Sequence, residues 1–368
     1  MADNRHQILS QQYSTFGNKI LAHCDVLNNI QSNKIFKPIT IQIGPTANCD
    51  EGCSFCSVQL RNLKSYIPFS KIEKLLKDFR TLQAKSIELT GDGNPMLYRD
   101  NIEKKDINDI IELAHSLNFD IGIITNSVKL SKIKPENYNK INWIRVSLIS
   151  LESGYGPEDY DFCGFPESKI GLSYIIYDGT EGTGTLKGKR EYKPTSLQSF
   201  EKIVKLMELH PEIKFTRIAG DCLNKGSNIQ VRDVYRPIID AIDKAGKIFI
   251  KDIYDQDGPY NDGCYVGAIR PYITQSQYGN DPQVYICSSH VLNTKNYDLA
   301  YSLGSIDDVI GIWQRMNESY QKYGYPYEVK CNGGNNWESS CKFCYYYNNN
   351  KLLHTIANAG HMPDRNFP

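Results

Sequence analysis

The sequence predicts an α/β protein: a parallel sheet of six strands that fits a partial or complete barrel, followed by a smaller domain. Three observations predict it. Apolar runs of period two alternate with segments of helical period between residues 39 and 255. Polar, Gly-containing stretches follow the strand-like runs, at the strand ends where such folds keep their chemistry. From about residue 256 the style changes. Gly, Asn, Pro and Tyr rise, and helical periodicity is weak outside 306–321. Cys264, Cys287, Cys331, Cys341 and Cys344 gather there.

The elements follow in order. Residues 1–38 read as a helical lead-in, with scattered apolar positions over 5–30. "ITIQI" (39–43) is the first strand and breaks at Gly44-Pro45. "SKIEKLLKDFRTL" opens with Ser70 and Glu73 at capping-box spacing, and Ile72, Leu75, Leu76 and Phe79 share one helical face. "SIELT" (86–90) ends in Gly91-Asp92-Gly93-Asn94-Pro95. "DINDIIELAHSL" is a helix with Ile107, Ile110, Ile111 and Ala114 on one side. Strands follow at 120–126, 143–150 and 170–177, then the helix "SLQSFEKIVKLMEL", then a sixth strand at 214–221. "VYRPIIDAIDKAG" is a helix stopped by Gly246, before "KIFIKD". The expected division is a lead-in (1–38), a barrel (39–255), a metal-organised smaller domain (256–352) and a tail without a clear element (353–368). "YNNN" at 347–350 reads as a polar turn.

Bulk properties narrow the function. At 368 residues, 40% hydrophobic and 23% charged, the chain has the composition of a soluble globular protein. Lys plus Arg equals Asp plus Glu at 42 each, which leaves no charge footprint for nucleic acid or an anionic membrane. No apolar run has the length of a membrane span. The first residues lack a secretory signal, so the expected location is the cytoplasm. In a reducing compartment the 11 cysteines are expected as metal ligands, and an odd count excludes complete pairing.

Cys49, Cys53 and Cys56 fall in "CDEGCSFC", straight after the first strand. A structural zinc ion takes four protein ligands. A [4Fe–4S] cluster takes one thiolate per iron, so three thiols leave one iron open to another molecule. The competing reading is a zinc site completed by a distant residue; spacing alone does not separate the two.

With its place after the first strand, the loop resembles the CxxxCxφC motif of the radical S-adenosylmethionine (SAM) superfamily, with Phe55 at the aromatic position. The resemblance runs over roughly 39–255 and implies a (β/α)6 partial TIM barrel. "TGDGNP" (90–95) resembles the family's Gly-Gly-Glu segment, which binds the methionine amino group. It places Gly91, Asp92 and Gly93 at the cofactor, although Asp-Gly-Asn departs from the usual pattern. "ITN" (124–126) resembles the third-strand end and adds Asn126. Ser147 takes the place of the ribose-contacting residue, and Ile218 in "RIAGD" that of the adenine-contacting strand. The implied chemistry is one-electron reduction of cluster-bound SAM. The resulting 5′-deoxyadenosyl radical takes hydrogen from an unactivated C–H bond, inside a barrel that shields it. A reducing partner such as flavodoxin or ferredoxin is implied as well.

Cys264 and Cys287 stand at the ends of an expected hairpin turning at 279–282, and "CKFC" supplies Cys341 and Cys344. Two pairs make a four-thiolate set, similar to the twitch domain, the shorter relative of the SPASM domain. "LGSIDDVIGIW" (303–313) also resembles that module. The resemblance implies one auxiliary [4Fe–4S] cluster on Cys264, Cys287, Cys341 and Cys344, with Cys331 as an alternative ligand. A four-cysteine zinc ribbon is the competing reading.

Cys222 follows the sixth strand and is either a hydrogen donor to a substrate radical, as in radical SAM epimerases, or a buried small hydrophobe. Cys24 and Cys163 have no partner at useful spacing. Arg145, Arg217, Asp221 and Lys251 are expected to line the barrel, and the seven histidines, His290 and His354 included, form no metal-ligand pair. The leading reading is oxidative modification, a dehydrogenation or cross-link, of a peptide or a small sugar- or nucleotide-like molecule. Only the 1–38 stretch precedes the barrel, which weighs slightly against a peptide. The alternatives are a radical SAM epimerase and, from another class, a zinc-binding interaction protein without redox chemistry.

Overall fold

The computed structural model describes residues 2–14, 17–53, 56, 62–179, 192–221, 231–251, 264–275, 281–288, 302–324, 326 and 346–359. Its centre is a 10-stranded sheet. In chain order the strands are β1 (Thr40–Gly44), β2 (Ser86–Leu89), β3 (Asp120–Thr125), β4 (Trp143–Ser147) and β5 (Ile170–Ile176). They continue as β6 (Phe215–Gly220), β7 (Ile248–Ile250), β8 (Tyr272–Thr274), β9 (Gln283–Tyr285) and β10 (Ser302–Ser305). From β1 to β7 each strand pairs in parallel with the next. β8 pairs in parallel with the other edge of β1, and β9 and β10 continue antiparallel beyond it.

The six strands expected from the sequence thus form within two residues of their expected starts, and Ile248–Ile250 adds a seventh. The sheet is open: among the described residues β7 and β10 are its two edges. The stretch assigned to a smaller domain enters the same sheet through β8–β10. The expected hairpin is present only in its inner part, as β8 and β9 with Tyr272 opposite Tyr285; the residues after Cys264 form a short helix, Val266–Ile269, instead of strand.

Strand alternation sorts the side chains. Ile41, Ile43, Ile87, Leu89, Ile121 and Ile123 belong to the main apolar core. Gln42, Glu88, Arg145, Ser173 and Arg217 alternate with such residues, on the opposite face. The helix Phe69–Thr81 contributes Ile72, Leu75, Leu76 and Phe79 to the core, all fully buried. Burial on this scale stabilises by about 1.5–3 kcal/mol per side chain.

The capping box expected from Ser70 and Glu73 does not form. The helix starts one residue earlier, behind Pro68, without a side-chain cap. Its first amides donate instead to Asp100 Oδ2 (2.9 Å) and Glu103 Oε1 (3.0 Å), carboxylates distant in sequence. A capping box is built at the next helix, Ile107–Ser116, from Asp106 and Asp109.

"YNNN" is not a turn. It opens the helix Tyr347–Ala359, which includes the first part of the tail. Asn has poor helix propensity, but Asn350 is buried and its Oδ1 accepts from the backbone N–H of Tyr265 (2.8 Å) and Val266 (2.9 Å). Leu353 and Ala357 bury on the core, so tertiary packing overrides local preference. Among the described residues no helix is long and apolar enough to cross a membrane.

Candidate functional site

The chain leaves β1 at Gly44 and enters the cysteine loop. The loop base is fixed by the backbone: Ala47 N–H donates to Ser65 O (2.9 Å) and Ile67 N–H to Pro45 O (2.9 Å). Gly93, after β2, lies flat on this base. A Cβ there would stand 2.3 Å from Asn48 O and 2.7 Å from Thr46 O, so only glycine allows the approach. Asn94 N–H donates to Asn48 O (2.8 Å).

Side chains from three strand ends then hold the loop. Asn94 is fully buried, and its Nδ2 donates to Asp50 Oδ1 (3.2 Å) and Ser127 Oγ (2.9 Å). Its Oδ1 accepts from Thr125 Oγ1 (2.7 Å) and Met96 N–H (3.2 Å). Asn126, after β3, donates to Asp50 Oδ1 (3.2 Å) and to Cys49 Sγ (3.7 Å). Glu51 is buried; Ser150, beyond β4, donates to its Oε1 (2.8 Å) and the Tyr192 hydroxyl to its Oε2. The Tyr192 hydroxyl also accepts from Gly52 N–H (3.2 Å). Cys53 packs against Ile149, Tyr177 and Tyr192.

This wrapping has an electrostatic consequence. Burial pushes the Cys53 thiol well above its ordinary range, and Cys56, Cys49 and Glu51 push it further. All three thiols therefore lie within electrostatic reach of one another, and none is in a disulfide. Three thiolates beside a buried carboxylate require a cationic group to hold their charge. Among the described residues no three His, Cys, Asp or Glu side chains form a group that would hold a single metal ion. A cubane cluster takes each thiolate on a different iron, so its ligands need not converge on one point. The donor set fits such a cluster.

Asp92 is buried beside the loop, with the Tyr272 hydroxyl donating to its Oδ1 (2.9 Å). The same hydroxyl would lie 2.2 Å from a Cβ on Gly91, whose φ of +113° also favours glycine. Burial, and then the charge of Asp92, raises the pKa of Tyr285 on β9. The C-terminal strands thus set Tyr272 against the Gly91–Gly93 segment and bring Tyr285 within electrostatic reach of Asp92.

The remaining expected residues fall as follows. Ser147 ends β4 opposite Ser173. Ile218 is fully buried in the core, and its carbonyl accepts from Lys251 N–H (2.8 Å); no described contact ties it to the cysteine loop. Cys264 is buried and Cys287 half-buried. A Cβ on Gly267 would lie 2.6 Å from Ile286 O, so the segments carrying these two cysteines touch. Phe55, Cys222, His290, Cys331, Cys341 and Cys344 lie outside the described residues. Cys24 Sγ donates to Leu21 O and Cys163 Sγ to Asp161 O, both remote from the loop in sequence. The His354 ring stacks on Tyr265 (5.6 Å). Sequence reasoning missed Asp50, Glu51, Ser150, Tyr192 and Tyr272. Only Asp50 and Glu51 carried a signal, their place between the cysteines.

No protein-family model and no curated protein matches the chain. Solved structures similar to it include SuiB from Streptococcus suis bound to S-adenosylmethionine, at 14% identity and a TM-score of 0.49 over 82% of this chain and 72% of that one. Another is anSMEcpe with bound AdoMet and the Cp18Cys peptide, at 14% identity and a TM-score of 0.46 over 87% of this chain and 96% of that one. BtrN in complex with AdoMet and 2-DOIA is a third, at 14% identity and a TM-score of 0.36 over 84% and 93%. These neighbours are radical SAM enzymes.

Proposed function

We propose that the chain is a radical SAM enzyme whose cysteine loop holds a [4Fe–4S] cluster on Cys49, Cys53 and Cys56. The observation that carries the reading is the clamping of this loop by the ends of β2, β3 and β4 through Asn94, Asn126 and Ser150. A three-thiol loop fixed at the C-terminal ends of parallel strands is what open-iron chemistry requires. When bound, the cluster and SAM supply a 5′-deoxyadenosyl radical that takes a hydrogen atom from the substrate.

The chain's own residues orient and shield. Asn126 donates to Cys49 Sγ and draws charge from that sulfur. Tyr192 and Ser150 keep the Glu51 carboxylate bonded, so the loop turns inward without an unsatisfied charge. Asn94 stands where the family shows Glu, yet its side chain is committed to the loop. We therefore assign the recognition of the SAM ammonium to the Asp92 carboxylate, oriented by Tyr272. Ser147 and the β6 end complete the cofactor wall, as the resemblance implies.

Cys264 and Cys287, with Cys341 and Cys344, are the proposed ligands of an auxiliary cluster in a twitch/SPASM-like unit that follows the first seven strands in sequence. A cluster held by these thiols would supply an acceptor for one electron from the substrate radical, the chemistry of an oxidative modification. The substrate is a peptide or a small sugar- or nucleotide-like molecule. Replacing Cys49, Cys53 and Cys56 together with Ala tests the reading. The variant should release no 5′-deoxyadenosine from SAM while keeping any second cluster. Undiminished release would overturn it.

A further inference from the structure

At the strand ends away from the cysteine loop lies a cavity of about 510 Å³. Its wall is made by the first residues of the strands, among them Thr40, Ser86, Gly122, Trp143, Gly171 and Phe215. The volume is that of a small-molecule site.

Two flat rings shape it. A Cβ on Gly122 would lie 2.3 Å from the Trp143 ring, and one on Gly171 would lie 2.3 Å from the Phe215 ring. Each ring therefore lies across the glycine of the neighbouring strand, and Tyr13, at the end of the N-terminal helix Ala2–Tyr13, stacks on Phe215 at 4.4 Å. Strand alternation places Arg145 on the same face as Trp143, with its guanidinium carbon 6.0 Å from that ring.

Arg145 is the unexplained group. It is only 7% exposed, yet among the described residues its guanidinium makes no hydrogen bond or ion pair, and its Nε is buried without a partner. The nearby acid does not serve it. Glu88 Oε1 takes Arg270 Nη2 (3.0 Å) and Gln42 Nε2 (2.6 Å). Burial and Arg217 lower the pKa of Arg145 to about 9, which still leaves it a cation at neutral pH. Glu88 acts on Arg145 only through space, and a buried cation without a hydrogen-bonded counter-charge is costly. Lys19 and Lys214, both exposed, line the same cavity.

We propose that this cavity binds a small organic anion, its carboxylate or phosphate on the Arg145 guanidinium and its body against Trp143 and Phe215. A planar fork suits either oxyanion, and the rings suit a flat or apolar body. The site sits at the opposite strand ends from the proposed radical chemistry and stands independently of it.

The test is thermal unfolding of the anaerobically purified protein, titrated with benzoate, phenyl phosphate or inorganic phosphate at constant ionic strength. The melting temperature should rise and saturate with at least one of them. Stronger benzoate binding marks a carboxylate ligand, and stronger phenyl phosphate binding a phosphate. Arg145→Met should weaken the response by roughly ten- to a hundredfold, the range for a hydrogen bond to a charged group. Without anion it should melt no lower than wild type, since an unpaired charge is removed. Arg145→Lys, which keeps charge but not the fork, should bind with intermediate affinity. No saturable response in wild type, or an equal response in the Arg145 variants, overturns the proposal.

Discussion

Replacing Asn94 with Ala tests how the cysteine loop is held. The substitution removes four hydrogen bonds: to Asp50, to Ser127, from Thr125 and from Met96 N–H. Three are between neutral groups and one reaches a carboxylate. At about 1 kcal/mol for each neutral bond and about 1.5–3 for the charged one, the loss is about 4.5–6 kcal/mol before relaxation. The Asn94 backbone bond to Asn48 O remains, and the side chain lies outside the main apolar core. The cost should therefore fall on the order of the loop more than on the sheet. Circular dichroism should be unchanged, while iron after anaerobic reconstitution should drop by about four atoms per chain. Asn94→Asp keeps the acceptor for Thr125 and Met96 but buries a carboxylate against Asp50, so it should restore neither stability nor iron. An Asn94→Ala protein with full iron and wild-type SAM cleavage would refute the clamping argument.

Two further outcomes follow from the geometry. Tyr272→Phe removes the bond to Asp92 Oδ1 and should weaken SAM binding by about tenfold, checked by equilibrium binding; unchanged affinity would separate Asp92 from the cofactor. His6 gives a pH effect. Ile250 N–H donates to its Nδ1 (3.2 Å), so Nε2–H donates to Asp240 (2.9 Å) and the ring is neutral. Burial lowers its pKa from 6.5, against the pull of Asp240 and with Arg5 and Arg236 assisting. The unfolded chain then protonates this group at higher pH than the folded chain does. Its contribution is complete above pH 6.5 and falls as pH drops towards the folded pKa, by at most about 1.4 kcal/mol per pH unit. Urea unfolding at pH 7 and below 6 should show this slope in wild type and a shallower one in His6→Gln.

The sequence carried the parallel strands because apolar period-two runs such as "ITIQI" and "WIRVS" have few other uses. It carried the cysteine loop because three thiols straight after the first strand of a βα series mark a metal-binding or cluster-binding loop, although their spacing alone leaves zinc and iron–sulfur open. What it hid depends on contacts between distant residues. The carboxylates that cap Phe69–Thr81 come from Asp100 and Glu103, and no local pattern announces them. The helix Tyr347–Ala359 begins at a tyrosine followed by three asparagines and is held where the backbone N–H groups of Tyr265 and Val266, far earlier in the chain, donate to Asn350. Tyr192 and Tyr272 reach Glu51 and Asp92 across 141 and 180 positions, a span no motif covers. Arg145 was expected to line the barrel, and the structure adds the cavity it lines and the missing partner.

The most direct test is metal analysis and product analysis on one anaerobic preparation. The protein should be brown, carry about eight irons per chain and release 5′-deoxyadenosine from SAM on reduction. A colourless protein with stoichiometric zinc and no SAM cleavage would contradict the account.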